Sequence, residues 1–228
     1  FRPRGYMQCK YRDSNNQVFL IMQRAPGLQL DKIWPTLTES EKDDISAKLR
    51  QNFDAMRMAE CPWPDFFGGL DGSGVHHYLF YCRRGSKKHL GPFYGEDAFV
   101  AGLVGNFRAA IERNGRADIK ARFYETHFAG VFQGHRPTLT HGDVQQKNIM
   151  AAESIGCRNN KGERSFDVVL VDWDYAGWCP DFWEFFTASS PFAFVYWEDD
   201  WCWRVQEFLP VWPAEMAVMR MIDQDMRW

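Results

Sequence analysis

One run of ten residues constrains this chain more than any other: His141-Gly142-Asp143-Val144-Gln145-Gln146-Lys147-Asn148-Ile149-Met150. Its companion is Val168-Val169-Leu170-Val171-Asp172-Trp173-Asp174, which opens as a β-branched strand and ends in acid. An Asp followed five residues later by an Asn, on one short loop, lets both side chains face a common cleft. Ile149 and Met150 then start a strand that anchors the loop, and Asp172 arrives at the end of a neighbouring strand. One Asp and one Asn in a loop would by themselves read as turn or cap residues. The His-Gly prefix and the second, strand-end Asp argue instead for chemistry. Asp, Asn and Asp together are the polar kit of phosphoryl transfer, in which a carboxylate orients or deprotonates a hydroxyl and oxygen ligands hold Mg²⁺ against phosphates. On that reading Asp143 is the base, and Asn148 and Asp172 are the metal ligands.

The first run resembles the catalytic loop of the aminoglycoside phosphotransferase and choline kinase family, whose form is H-G-D-x-x-x-x-N followed by apolar residues. Asp172-Trp173-Asp174 takes the place of the Asp-Phe-Gly of protein kinases. Gln145-Gln146-Lys147, and Ala176-Gly177-Trp178-Cys179-Pro180-Asp181-Phe182-Trp183-Glu184, are most similar to fungal members. The resemblance covers about residues 3 to 226 and implies an α+β fold. The expected architecture is the mostly helical C-terminal lobe of a protein-kinase-like fold. A small β portion stands at its N-terminal hinge, and short strands surround the catalytic loop. Residues 1–25 would be a remnant of N-terminal-lobe strands and hinge, and residues 26–228 the lobe itself. The resemblance further implies ATP as co-substrate, Mg²⁺ as cofactor, a small-molecule hydroxyl as acceptor and a cytoplasmic setting. Backbone groups of Gln23 and Ala25 would meet the nucleotide base, although Gln23 to Gly27 also reads as a plain strand-to-helix linker. Lys147 would touch the transferring phosphate as a point charge, or be a surface lysine. His141, a general-base candidate by its chemistry, reads better as a packing residue that holds the loop backbone, as the family has it.

A kinase-like site has an upper half too, made of a Gly-rich loop, a strand lysine and a helix glutamate. No glycine loop and no V-A-I-K-like strand precedes Gln23, and the chain opens on Phe1, as a trimmed or partly observed polypeptide would. Two function classes therefore stand side by side. One is an ATP- and Mg²⁺-dependent phosphotransferase. The other is a kinase-fold protein without phosphoryl transfer: a pseudo-enzyme, a binding module, or a biosynthetic enzyme using Asp143 and Asp172 as acid–base residues.

Composition removes other classes. A net charge of −3 leaves no basic footprint for nucleic acid and disfavours an anionic membrane surface. No apolar run approaches the roughly eighteen residues of a membrane span. Six scattered cysteines without a C-x-x-C pair argue against a disulfide framework or zinc site, and for free thiols in a reducing compartment. Ten Trp and nineteen Phe predict large, flat walls for core and cleft. Oligomeric state has no signature here.

Along the chain, residues 1 to 22 read as two strands around the turn Asp13-Ser14-Asn15-Asn16. Thr38-Glu39-Ser40-Glu41 is a capping box, opening a helix to about residue 59 with Ile45, Leu49, Phe53 and Met56 inward. Residues 61 to 95 read as loop, without a phosphate-binding glycine pattern. His76 and His77 face opposite ways if extended and read as a solvated or locally bonded pair. A helix starts at Glu96 with Phe99, Val100, Leu103, Val104, Phe107 and Ile111 on one face. A further amphipathic run, 117 to 132, carries Ile119, Phe123, Phe128 and Val131. Residues 153 to 165 read as a polar hairpin loop. A helix begins near Asp181, and two more run from about 198 to 209 and 214 to 226. Asp174 could approach the metal or cap the next segment. Trp197-Glu198-Asp199-Asp200-Trp201 sets three acids between indoles, which suits a cationic acceptor and equally suits a helix N-terminus.

Overall fold

The computed structural model describes residues 8–81, 90–189 and 200–226, with the side chains of 8–12 and 18–22 outside the description. The fold is α+β. The strands are β1 (Gln8–Arg12), β2 (Val18–Met22), β3 (Leu28–Gln29), β4 (Phe66–Gly69), β5 (Phe93–Tyr94), β6 (Pro137–Thr140), β7 (Ile149–Arg158), β8 (Arg164–Leu170) and β9 (Gly177–Pro180). The helices are α1 (Leu30–Ile33), α2 (Glu39–Arg57), α3 (Glu96–Arg113), α4 (Ile119–His127), α5 (Trp183–Ser189), α6 (Trp201–Phe208) and α7 (Pro213–Met226). The chain divides into two compact units, Phe1–Ile45 with Gln146–Val171, and Ser46–Gln145 with Asp172–Trp228.

In the smaller unit β1 and β2 pair antiparallel. Their turn is fixed by the Asp13 carboxylate, which accepts the N–H groups of Asn15 (3.0 Å) and Gln17 (2.8 Å). The second sheet has the order β3-β7-β8, all antiparallel. The capping box forms reciprocally: the Glu41 N–H donates to Thr38 Oγ1 (3.2 Å), and the Thr38 N–H donates to Glu41 Oε2 (3.1 Å). That first turn of α2 also clamps the β7–β8 hairpin. Arg164 reaches both oxygens of Glu41, at 2.6 and 2.9 Å, and this guanidinium is the main reason the Glu41 carboxyl titrates below its usual range. Asp44 accepts from the Ser165 hydroxyl and the Phe166 N–H, each at 3.0 Å. The expected polar loop at 153 to 165 is thus mostly strand. A register irregularity between Glu153 and Arg158 lets pairing resume at Arg158 and Arg164, and the tip is tied by Asn159, which accepts from Lys161 and Glu163 N–H and donates to Ser40.

The larger unit holds a four-stranded antiparallel sheet in the order β5-β4-β9-β6. Residues 61 to 95, expected as loop, therefore contain an inner strand of this sheet. Phe66-Phe67 reads too short for a strand, and Gly68-Gly69 masks it. The glycines serve close packing: a Cβ on Gly177 of β9 would stand 2.6 Å from the Gly68 carbonyl oxygen. Helix α3 buries Phe99, Val100, Leu103, Val104, Phe107 and Ile111, the face its periodicity predicts. The next run turns differently. Ile119 and Phe123 are 72% and 52% exposed and Val131 is half-buried, whereas Ala121, Tyr124, Phe128 and Phe132 face the core. Tyr124 wins the inward place by packing between Phe107 and Phe128, with its hydroxyl bonded to Asp225. The core around them is aromatic, with Phe80, Phe99 and Trp183 in mutual contact and Phe132 stacked on Phe182. Among the described residues no helix is long and apolar enough to cross a membrane.

Candidate active site

In the larger unit β6 delivers His141 and β9 runs beside it, with the Thr140 hydroxyl donating to the Gly177 carbonyl at 3.1 Å. Where β6 ends, the next two backbone N–H groups turn inward. They meet the carboxylate of Glu184, in the first turn of α5: His141 N–H donates to Oε2 at 2.5 Å and Gly142 N–H to Oε1 at 3.0 Å. Glu184 is only 4% exposed. Burial pushes its carboxyl up to about 7, outweighing the two donated N–H groups and the positive charge of Arg57, while the negative charge of Asp143 adds to the rise.

Gly142 has φ +80, and a Cβ there would stand 2.5 Å from the Tyr175 carbonyl oxygen. The loop and the Tyr175 backbone thus approach as closely as glycine alone permits. The buried His141 ring lies 4.7 Å from that of Trp173, and its Nδ1 accepts from the Asp143 N–H at 3.3 Å. Asp143 itself is half-buried, and its carboxylate accepts from the Gln145 amide.

Asp172 is exposed and has φ +65, the left-handed region. Asp is among the few non-glycine residues found there, and the conformation still costs of order 1 kcal/mol. Three residues on is Tyr175, 41% exposed, whose hydroxyl is shifted up by burial first, then by Tyr81 and by the negative charges of Asp143, Asp172 and Asp174. The negative charges of three carboxylates thus act on one phenol. Asp143, Asp172 and Asp174 thus share an electrostatic influence on Tyr175.

The other expected residues are described each within its own unit. Lys147 and Asn148 belong to the smaller unit. Lys147 is exposed and its carbonyl accepts from the Gln29 amide at 2.9 Å; Asn148 is buried and its carbonyl accepts from Val171 N–H at 2.9 Å. Gln23 and Ala25 lie on the segment between β2 and β3, exposed and half-buried respectively. Asp200 stands at the N-terminus of α6, its carboxylate 3.1 Å from the buried Arg204 guanidinium. Trp201 is buried against Phe208, ring centroids 5.5 Å apart. Trp197, Glu198 and Asp199 lie outside the described residues.

Sequence reasoning overlooked Glu184 and Tyr175 as site residues. The signal for Glu184 was present: an acid inside Phe182-Trp183-Glu184-Phe185-Phe186 is surrounded by residues that go inside, and a buried acid requires partners. Tyr175 carried no comparable cue. Among the described residues no group of three or more His, Cys, Asp or Glu side chains is arranged to hold a metal ion. Compared with models of known protein families and with curated proteins, the sequence matches none.

Proposed function

We propose that this chain is a phosphotransferase of the aminoglycoside phosphotransferase and choline kinase type, moving the γ-phosphate of ATP to a hydroxyl of a small molecule in the cytoplasm. The observation that carries the reading is the anchoring of the His141–Asp143 turn on buried Glu184, packed through Gly142 and His141 against the Tyr175 backbone and the Trp173 ring of the turn in which Asp172 is held in the left-handed region. A structural turn has no need of a buried carboxylate clamp on one loop and a strained acid on the loop it packs against. A site that must aim charge does.

The roles follow from the chemistry of each group. The Asp143 carboxylate takes the hydroxyl proton of the acceptor and orients its oxygen. His141 and Glu184 fix the backbone on which Asp143 rides. Asp172 supplies a hard oxygen donor of the kind Mg²⁺ takes. Such an ion is bound by one or two carboxylates together with phosphate oxygens, so a complete protein cage is not required. When bound, it offsets the charge of the phosphates. The described free thiols, Cys61, Cys157, Cys179 and Cys202, suit a reducing compartment.

The test is thermal unfolding with ATP, with and without Mg²⁺, alongside ATP consumption over a panel of hydroxyl acceptors. Ligand at 100 times its Kd should stabilise the native state by about 2.7 kcal/mol. Asp172→Asn, which keeps a side chain at ease with φ +65, should lose the Mg²⁺-dependent share. Asp143→Ala should keep the stabilisation and slow turnover by at least about 100-fold. A wild-type chain whose unfolding ignores Mg²⁺–ATP would overturn the proposal.

A further inference from the structure

The strained turn that carries Asp172 raises a physical question. A left-handed aspartate persists only where its surroundings over-determine the backbone. Within the larger unit part of the answer is local: Ala176 N–H closes the turn on the Trp173 carbonyl at 3.0 Å, and Trp173 packs on His141. A second hold comes from a distant part of the sequence. His76 Nδ1 lies 3.3 Å from the Asp174 carbonyl oxygen, and its Nε2 lies 3.0 Å from Ser73 Oγ.

These two contacts fix the ring chemically. A carbonyl only accepts, so Nδ1 carries the hydrogen, and in the neutral ring Nε2 offers a lone pair to the Ser73 hydroxyl. Ser73 is itself tied down. Its N–H donates to Asp71 Oδ1 at 3.0 Å, and its carbonyl accepts from Gly69 N–H at 2.9 Å, at the end of β4. A tight turn at the end of β4 thus orients a serine, the serine orients an imidazole, and the imidazole grips the middle of the Asp172–Ala176 turn. His76 is half-buried and its neighbour His77 is buried, so the two histidines do different work.

We propose that His76 is a positioning residue for Asp172: through its Nδ1–H bond to the Asp174 carbonyl it holds the turn in which Asp172 keeps its left-handed conformation. What that orientation is for, the presentation of the carboxylate to Mg²⁺–ATP, rests on the function proposed above; the hold itself does not.

The two ring nitrogens can be separated by substitution. His76→Asn carries an amide N–H close to where Nδ1 stands and loses the reach to Ser73. His76→Gln carries its amide close to Nε2, keeps Ser73 and loses the Asp174 carbonyl. Amide hydrogen exchange over residues 172–176 is the first measurement. Loss of one neutral hydrogen bond corresponds to about 5-fold faster exchange, expected in His76→Gln and not in His76→Asn. The second measurement is the Mg²⁺ concentration giving half-maximal thermal stabilisation at fixed ATP. It should rise by a similar factor in His76→Gln alone, with the response to ATP without metal unchanged, which a general loss of stability would not produce. Equal exchange in the two variants would overturn the proposal, as would a wild-type rate in His76→Gln. Faster exchange in His76→Gln with an unaltered Mg²⁺ midpoint would overturn the role toward Asp172. If the wild-type chain ignores Mg²⁺–ATP altogether, the phosphotransferase reading fails while the exchange contrast still decides whether His76 holds the turn.

Discussion

Glu184 binds two consecutive N–H groups with its two oxygens, and this geometry sets what a substitution does. Glu184→Gln keeps the shape, but one of its two positions becomes an NH₂ that faces a donor. The expected cost is about 1 to 3 kcal/mol, that of leaving a buried donor unsatisfied, read by chemical denaturation. Gly142→Ala should cost at least about 1 kcal/mol, because φ +80 suits glycine and the atom a Cβ would meet is backbone, which cannot swing aside. Both variants should lose ATP turnover if Asp143 is the base. Asp143 and Asn148 stood out in the sequence as candidates because their spacing is local. Glu184 sits more than forty residues beyond the amides it binds, and only the β6–β9 pairing makes them neighbours. No periodicity encodes that.

At the scale of elements, the β7–β8 hairpin depends on the first turn of α2. Thr38→Ala removes the cap acceptor and frees Glu41 from the box; about 1 kcal/mol is expected. Arg164→Met removes two charge-assisted bonds to Glu41, but the arginine is half-exposed and solvent screens the pair, so the loss should stay near 1 kcal/mol. The paired variant should cost less than the sum, since both changes act on one carboxylate, and a double-mutant cycle in urea measures the difference. The capping box and the α3 face were readable because cap chemistry and helical period are local rules. The α4 face was misread because apolar residues occur on both sides of that helix, and Tyr124 took the inward place through its ring neighbours and Asp225. The strand at Phe66–Gly69 was missed for a related reason, its glycines being required by a strand that lies far off in sequence.

For the molecule as a whole, two buried groups give stability opposite responses to pH. His77 is pushed down to about 3 from 6.5 by burial among rings such as those of Trp183 and Phe186. Below 6.5 the unfolded chain binds the proton that the folded one refuses, so this contribution is present above 6.5 and lost as pH falls. Glu184 is raised from 4.5 to about 7. Between those values the folded chain holds the proton and the unfolded one does not, so stability declines as pH rises. Each slope approaches about 1.4 kcal/mol per pH unit, and between 4.5 and 6.5 they oppose. His77→Asn, whose side chain can still accept from Leu79 N–H, should tilt the wild-type stability profile toward decline with rising pH in that window. Glu184→Gln should tilt it the other way. Urea titrations at pH 4.5, 5.5 and 6.5 test both.

The bend at Asp172 has a wider implication. Asparagine accepts that bend about as readily, so replacing one oxygen by an amide can mute the charge while the polypeptide folds undisturbed. On the function proposed here, a descendant of this chain could pass from working catalyst to silent look-alike in a single step, and its outline would not betray the change.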